Sequence, residues 1–126
     1  MTKTILTVDD SASVRLMVGG TLRGAGFEVV ETSDGDEALA YAQEHQVDLV
    51  LADLYMPRMD GLALIKELRG LPGYRLTPLL LLTTESSPER KSEAKRAGAT
   101  GWIVKPFKPT QLLKTVERAM GTPTPN

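Results

Sequence analysis

Residues 49–53 read Leu49-Val50-Leu51-Ala52-Asp53, an apolar run that ends on a carboxylate. Two further stretches have the same form: Ile5-Leu6-Thr7-Val8 runs into Asp9-Asp10, and Leu79-Leu80-Leu81-Leu82 runs into Thr83-Thr84. Near-continuous apolar runs of this length suit central parallel strands covered on both faces. Phe27-Glu28-Val29-Val30-Glu31 carries charges and suits an edge strand, while Trp102-Ile103-Val104, introduced by Gly98-Ala99-Thr100-Gly101, supplies a fifth.

Between the runs the apolar period changes from continuous to helical. Val14, Val18 and Leu22 recur at helical spacing, as do Ala38 and Ala42, Leu64, Ile65 and Leu68, and Leu112, Leu113, Val116 and Met120. A fifth helix is expected over Pro88–Ala97, with Ser87 as N-cap and Pro88 in the first turn. Its body, Glu89 to Ala97, has almost no apolar stripe, so it buries little and is weakly held. Five strands alternating with five helices predict an α/β protein with a doubly wound parallel sheet. In such sheets ligands bind outside the strand carboxyl ends, where the strand order reverses. The side chains at those ends are Asp9, Asp10, Asp53, Thr83, Thr84 and Lys105.

Composition narrows the function classes. The chain has 126 residues, 15 basic and 16 acidic side chains, one His, no Cys and a formal net charge of −1. That length suits one domain with a core that needs no staples. Without Cys there is no disulfide framework, thiolate metal site or Cys nucleophile. A near-neutral balance argues against a grip on nucleic acid, which needs a basic face. The longest purely apolar runs, such as Leu79–Leu82, are far too short to cross a bilayer, and Asp9-Asp10 interrupts the start before a signal-peptide core develops. A cytoplasmic protein without membrane insertion is the expectation. Gly121-Thr122-Pro123-Thr124-Pro125-Asn126 reads as a disordered tail after a domain over residues 1–120. His45, in a polar helix end, reads as solvated. Gly24-Ala25-Gly26 reads as a helix C-cap and turn, not a nucleotide-binding glycine loop. Gly19-Gly20 inside the first helix is locally unfavourable, with close packing or flexibility as the candidate reasons.

If the first and third strands are neighbours, Asp9, Asp10 and Asp53 converge. Three carboxylates within a few ångströms repel, so some must protonate or recruit a cation. An all-oxygen set without His or Cys suits a hard ion, Mg²⁺ first among them. Lys105 adds a point charge suited to phosphate, and Thr83 a hydroxyl donor. Together they fit phosphoryl transfer to a carboxylate, with Asp53 as the attacking group. Each residue also admits a plain structural role. Asp-Asp can be a helix N-cap, Asp53 a turn residue, Lys105 a surface lysine and Thr83 a satisfied hydroxyl. Spacing alone leaves both readings open.

The residues that carry this chemistry also carry a resemblance. Val8-Asp9-Asp10, Asp53 with Met56-Pro57-Arg58-Met59-Asp60-Gly61, Leu82-Thr83, Ala97-Gly98-Ala99 and Lys105-Pro106-Phe107 resemble the receiver domain of two-component response regulators. The resemblance runs from about Lys3 to Met120. It implies a flavodoxin-like five-stranded sheet of order 2-1-3-4-5 and, with no output domain in view, a stand-alone regulator of the chemotaxis type. By that resemblance Asp53 accepts a phosphoryl group from a sensor histidine kinase. Asp10 and Asp53 ligate Mg²⁺ with the backbone carbonyl of Tyr55, and Asp9 acts mainly through bound water. Thr83 and Lys105 hold phosphoryl oxygens, and the Lys105-Pro106 bond is cis. Thr83 and Trp102 form the switch: Thr83 moves toward the phosphoryl group and the ring turns inward. Tyr and Phe are usual at the Trp102 position, and Asn or Met at that of Tyr55. Tyr55 and Glu85 are expected to border the path of the hydrolytic water and set the acyl-phosphate lifetime.

The expected protein is therefore a monomeric switch that catalyses only its own phosphorylation and dephosphorylation, then binds a protein partner such as a flagellar motor switch protein. Alternative outputs are a phosphate sink for the kinase or an intermediate in a phosphorelay. An aspartate-based phosphohydrolase would need a substrate-covering cap. A flavin carrier would need a Ser/Thr-Gly phosphate loop, and Asp9-Asp10 would repel its cofactor.

Overall fold

In the computed structural model, which describes residues 2–120, strands and helices alternate without exception. They are β1 (Thr4–Val8), α1 (Ala12–Gly24), β2 (Glu28–Thr32), α2 (Gly35–Glu44), β3 (Leu49–Asp53), α3 (Gly61–Arg69), β4 (Leu79–Thr83), α4 (Pro88–Ala97), β5 (Gly101–Val104) and α5 (Pro109–Ala119). The five strands are parallel in the order β2-β1-β3-β4-β5, the expected doubly wound, flavodoxin-like sheet. The order reverses between β1 and β3. Val8 pairs with Ala52, Asp53 with Leu82 and Thr83 with Val104, so the carboxyl ends of four strands lie level at one edge.

All five residues of β3 and of β4 are buried. Alternate side chains still serve opposite faces, as the pleat requires. Leu6, Val50, Ala52, Leu79 and Leu81 join the core under α2, α3 and α4. Ile5, Leu49, Leu51, Leu80 and Leu82 join the one under α1 and α5. Four helices start on a side chain that accepts from a first-turn N–H: Ser11 from Val14, Asp34 from Glu37, Asp60 from Ala63 and Ser87 from Arg90. Helix α4 covers the expected residues and ends on Gly98 in the left-handed region (φ 113°). It buries only Ala94 and Ala97.

The strand boundaries differ from the sequence reading by a residue: β1 gains Thr4, and β3 and β4 take in Asp53 and Thr83 at their ends. β2 begins at Glu28 because the Phe27 N–H is committed to the Leu22 carbonyl at 3.2 Å, in the turn that leaves α1. It runs on to Thr32, whose hydroxyl donates to the Thr7 carbonyl at 2.7 Å. β5 gains Gly101, which pairs with Leu80. A Cβ at Gly101 would lie 2.7 Å from the Leu80 side chain, so the strand starts on the residue that lets it approach. Gly26 is in the left-handed region (φ 98°), consistent with the turn expected there. His45 is exposed and stacks on Tyr41 with ring centroids 4.2 Å apart. The tail over residues 121–126 lies outside the described residues.

The connection from α3 to β4 carries structure that its Gly and Pro residues conceal. Tyr74 is fully buried, donates its hydroxyl to the His45 carbonyl at 2.6 Å and accepts from the Val47 N–H at 3.2 Å. The Arg69 guanidinium donates to the carbonyls of Tyr74, Thr77 and Gly98 at 2.7 Å each, tying this loop to the end of α4.

Candidate functional site at the carboxyl edge of the sheet

The end of β3 delivers Asp53 to the middle of the strand-end surface, and the first turn of α3 fixes it there. A Cβ at Gly61 would lie 2.5 Å from the Asp53 carbonyl and 2.7 Å from the Leu81 side chain, so only glycine lets α3 begin this close to the strand. Asp9 and Asp10 arrive from the end of β1. One oxygen from each of Asp9, Asp10 and Asp53 lies within 4.8 Å of the others. The Asp-Asp pair does not cap α1, since Ser11 does. Asp9 instead accepts from the Ser11 N–H at 2.9 Å through Oδ1, and Arg15 donates to its backbone carbonyl.

Lys105 enters from the end of β5, beside the cis bond to Pro106. Its Nζ lies 3.4 Å from Asp53 Oδ1 and 3.5 Å from Asp9 Oδ2, so it is not a free surface lysine. One ammonium among three carboxylates leaves the cluster net negative. Burial pushes the Asp53 carboxyl above its ordinary range; Asp9 pushes the same way, and Lys105 opposes them. Asp9 Oδ2 is buried and has no hydrogen-bond donor, its contact with Lys105 being an ion pair at longer range. A buried, orphaned carboxylate oxygen in an all-oxygen set is what a hard divalent cation satisfies, so these residues fit Mg²⁺.

Thr83 stands buried at the end of β4 and accepts from the Glu85 N–H at 3.1 Å. Glu85 also receives the Trp102 indole N–H on its carbonyl at 2.9 Å, and the Tyr55 hydroxyl on its carboxylate at 3.0 Å. Hydrogen bonds from Ser87 and Tyr55 hold that carboxyl below its ordinary range. Three groups of one loop residue are thus shared among Thr83, Trp102 and Tyr55. In this structure the half-buried Trp102 side chain packs beside the α2–α4 core.

Every site residue expected from the sequence except Trp102 and Tyr55 is thus held at the strand ends themselves, and those two reach that edge through Glu85. The sequence reading missed two arginines. Arg15 sits six residues after Asp9, far enough along α1 to turn back onto the strand end. The Arg90 guanidinium lies 5.7 Å from the centre of the Tyr55 ring, a contact between α4 and the loop after β3 that no local pattern announces.

Known proteins share this fold. The model of the response regulator receiver domain matches residues 5–117. The chemotaxis response regulator CheY4 of Vibrio cholerae superposes with a TM-score of 0.92 at 50% identity, covering 94% of this chain and 99% of that one. The receiver domain of the sensor histidine kinase PA1611 from Pseudomonas aeruginosa, which holds a magnesium ion in its active-site cleft, superposes with a TM-score of 0.89 at 27% identity, covering 97% and 100%. The transcriptional regulatory protein ZraR of Salmonella typhimurium is 40% identical over 116 residues, 92% of this chain and 26% of that protein's length.

Proposed function

The chain belongs to the response regulator receiver domain family, a signalling domain of two-component systems, and on that premise we propose that it accepts a phosphoryl group on Asp53 from the phosphohistidine of a sensor kinase. The observation that supports this most is the placing of Asp53: nearly buried, beside one ammonium, and grouped with two carboxylates, one of which has an oxygen without a donor.

The chemistry follows from the groups present. An Asp53 carboxylate oxygen attacks phosphorus in line; the bond from phosphorus to the imidazole nitrogen breaks, and its electron pair leaves with the ring. Burial and the Asp9 charge make Asp53 more basic than an exposed carboxylate, and the Lys105 ammonium opposes them. Lys105 and the Thr83 hydroxyl, both at the strand ends, hold phosphoryl oxygens. Asp9, Asp10, Asp53 and the Tyr55 carbonyl would hold Mg²⁺, which when bound offsets the negative charge gathering on those oxygens. Thr83 and Trp102 are linked through Glu85, so a displacement of Thr83 toward the phosphoryl group is felt at the indole and along the α4–β5 face. The domain promotes its own phosphorylation and dephosphorylation, and acts as a monomer in the cytoplasm through a protein partner. Likeness to a chemotaxis protein supports motor control as the output.

The test uses a small phosphodonor with Mg²⁺ and intact mass measurement. One hydroxylamine-labile phosphoryl group per chain, absent from Asp53→Asn, is expected. Steady turnover of a phosphate ester would overturn the switch reading in favour of a phosphohydrolase. Capture from lysate on beryllofluoride-loaded protein then separates outputs: a motor component held only by the loaded form supports motor control. A kinase held equally by both forms overturns that reading in favour of a phosphate sink or relay.

A further inference from the structure

The mouth of the Asp53 pocket is bridged on its β4 side. Tyr55, two residues beyond Asp53, and Glu85, two beyond Thr83, join through the phenol hydroxyl across the ends of paired strands. Tyr55 keeps 49% of its surface exposed, so packing alone does not enclose the ring. What lies against it is Arg90, on the first turns of α4, with its guanidinium 5.7 Å from the ring centre. Arg90 is itself held by Glu93, one turn on in the same helix, at 2.6 Å. A helix with only two buried alanines is therefore tied to the rim of the site through a cation.

We propose that Arg90 is a positioning residue: from α4 it holds the Tyr55 phenol across the mouth and so slows hydrolysis of a phosphoryl group on Asp53. This rests on the phosphoacceptor reading above. In hydrolysis a water oxygen bonds to phosphorus, and the bond from phosphorus to the Asp53 oxygen breaks with its electron pair staying on the carboxylate. The water proton passes to the departing phosphate or to solvent. The clamped ring occupies the approach from the β4 side; a released ring uncovers it. A partner that engages Arg90 on α4 would then shorten the life of the signal it reads.

The experiment loads the full chain with a radiolabelled phosphodonor and Mg²⁺, removes the donor and follows loss of label. An exposed cation–π contact shifts a two-state ring by about two- to fivefold, so R90A should lose label about two- to fivefold faster than the parent. R90K, which keeps the cation but not the plane, should fall between them. In a Y55A background, R90A should change nothing further, a coupling that general loosening of α4 would not produce. Equal rates for R90A and the parent, or the same acceleration with Tyr55 absent, would overturn the proposal. A parent chain that takes no label on Asp53 would instead bring down the phosphoacceptor reading on which it rests.

Discussion

Replacing Asp53 by Asn should make the metal-free protein more stable. At an effective dielectric constant of about 20, a carboxylate pair at the 4.8 Å limit repels by about 3.5 kcal/mol. Asp53 has two such neighbours, and its attraction to Lys105 at 3.4 Å recovers about 5 kcal/mol on the same scale. The balance is about 2 kcal/mol of repulsion; screening of the exposed Asp10 reduces it, and the desolvation of Asp53 adds to it. Urea denaturation at neutral pH with chelator should therefore show Asp53→Asn more stable by about 2 kcal/mol, or about 8 °C in melting temperature for a domain of this size. The pH dependence has a fixed sign. Asp53 titrates above its ordinary range in the folded state, so the parent gains relative stability as pH falls through that raised value. The advantage of the variant is full above it and gone below about pH 3.9, where the unfolded carboxyl is also protonated. Saturating Mg²⁺ should reverse the order, because an ion bound to the folded parent at a hundred times its dissociation constant adds about 2.7 kcal/mol. A variant less stable than the parent in chelator, or an order indifferent to Mg²⁺, would refute the account of the site as a charge cluster awaiting a cation.

The adjacent glycines of α1 should respond oppositely to alanine. Gly20→Ala meets nothing within 4 Å and should raise stability by about 1 kcal/mol in urea titration. Gly19→Ala would put a Cβ 2.6 Å from the Glu31 carboxylate, displacing its pair with Arg23, and should lose most of that gain. Arg69→Met should cost about 3 kcal/mol, since several charge-assisted bonds to loop carbonyls go at once, and amide exchange should rise over residues 70–78. Gly61→Ala should destabilise by about 2 kcal/mol or more and lower the phosphorylation rate, because relief of the clash moves the Asp53 carbonyl.

The sheet was legible because its chemistry is local. Leu49 to Ala52 and Leu79 to Leu82 are apolar on consecutive residues, and only a strand covered on both faces needs that. Helix α4 was legible from its cap and its Pro, signals that do not depend on packing. The strand-end residues could be gathered from the same pattern, because each directly follows a run that had to be a strand. What stayed hidden was made by contacts across long sequence separations. Arg69 looks like an ordinary cation in the last turn of a helix, yet its partners are carbonyls in the loop and beyond α4. Tyr74 sits among Gly, Pro and Arg, a composition that reads as surface loop, and its burial follows from the His45 carbonyl and Val47 N–H waiting beneath it. Tyr55 and Glu85 were singled out together as bordering the water's path, but the bond between them depends on β3 and β4 being neighbours. That Asp-Asp leaves the capping of α1 to Ser11 goes with the Asp9 carboxylate accepting from the Ser11 N–H instead.

Helix α4 is anchored by two alanines and a pair of caps, and presents Lys91, Lys95 and Arg96 outward. Its outward positions are consequently among the cheapest in the chain to rewrite. Exchange of those side chains leaves both cores and the strand-end cluster untouched. For protein engineering the same economy makes Lys91, Lys95 and Arg96 the positions to vary first, with Arg90, Ala94 and Ala97 kept.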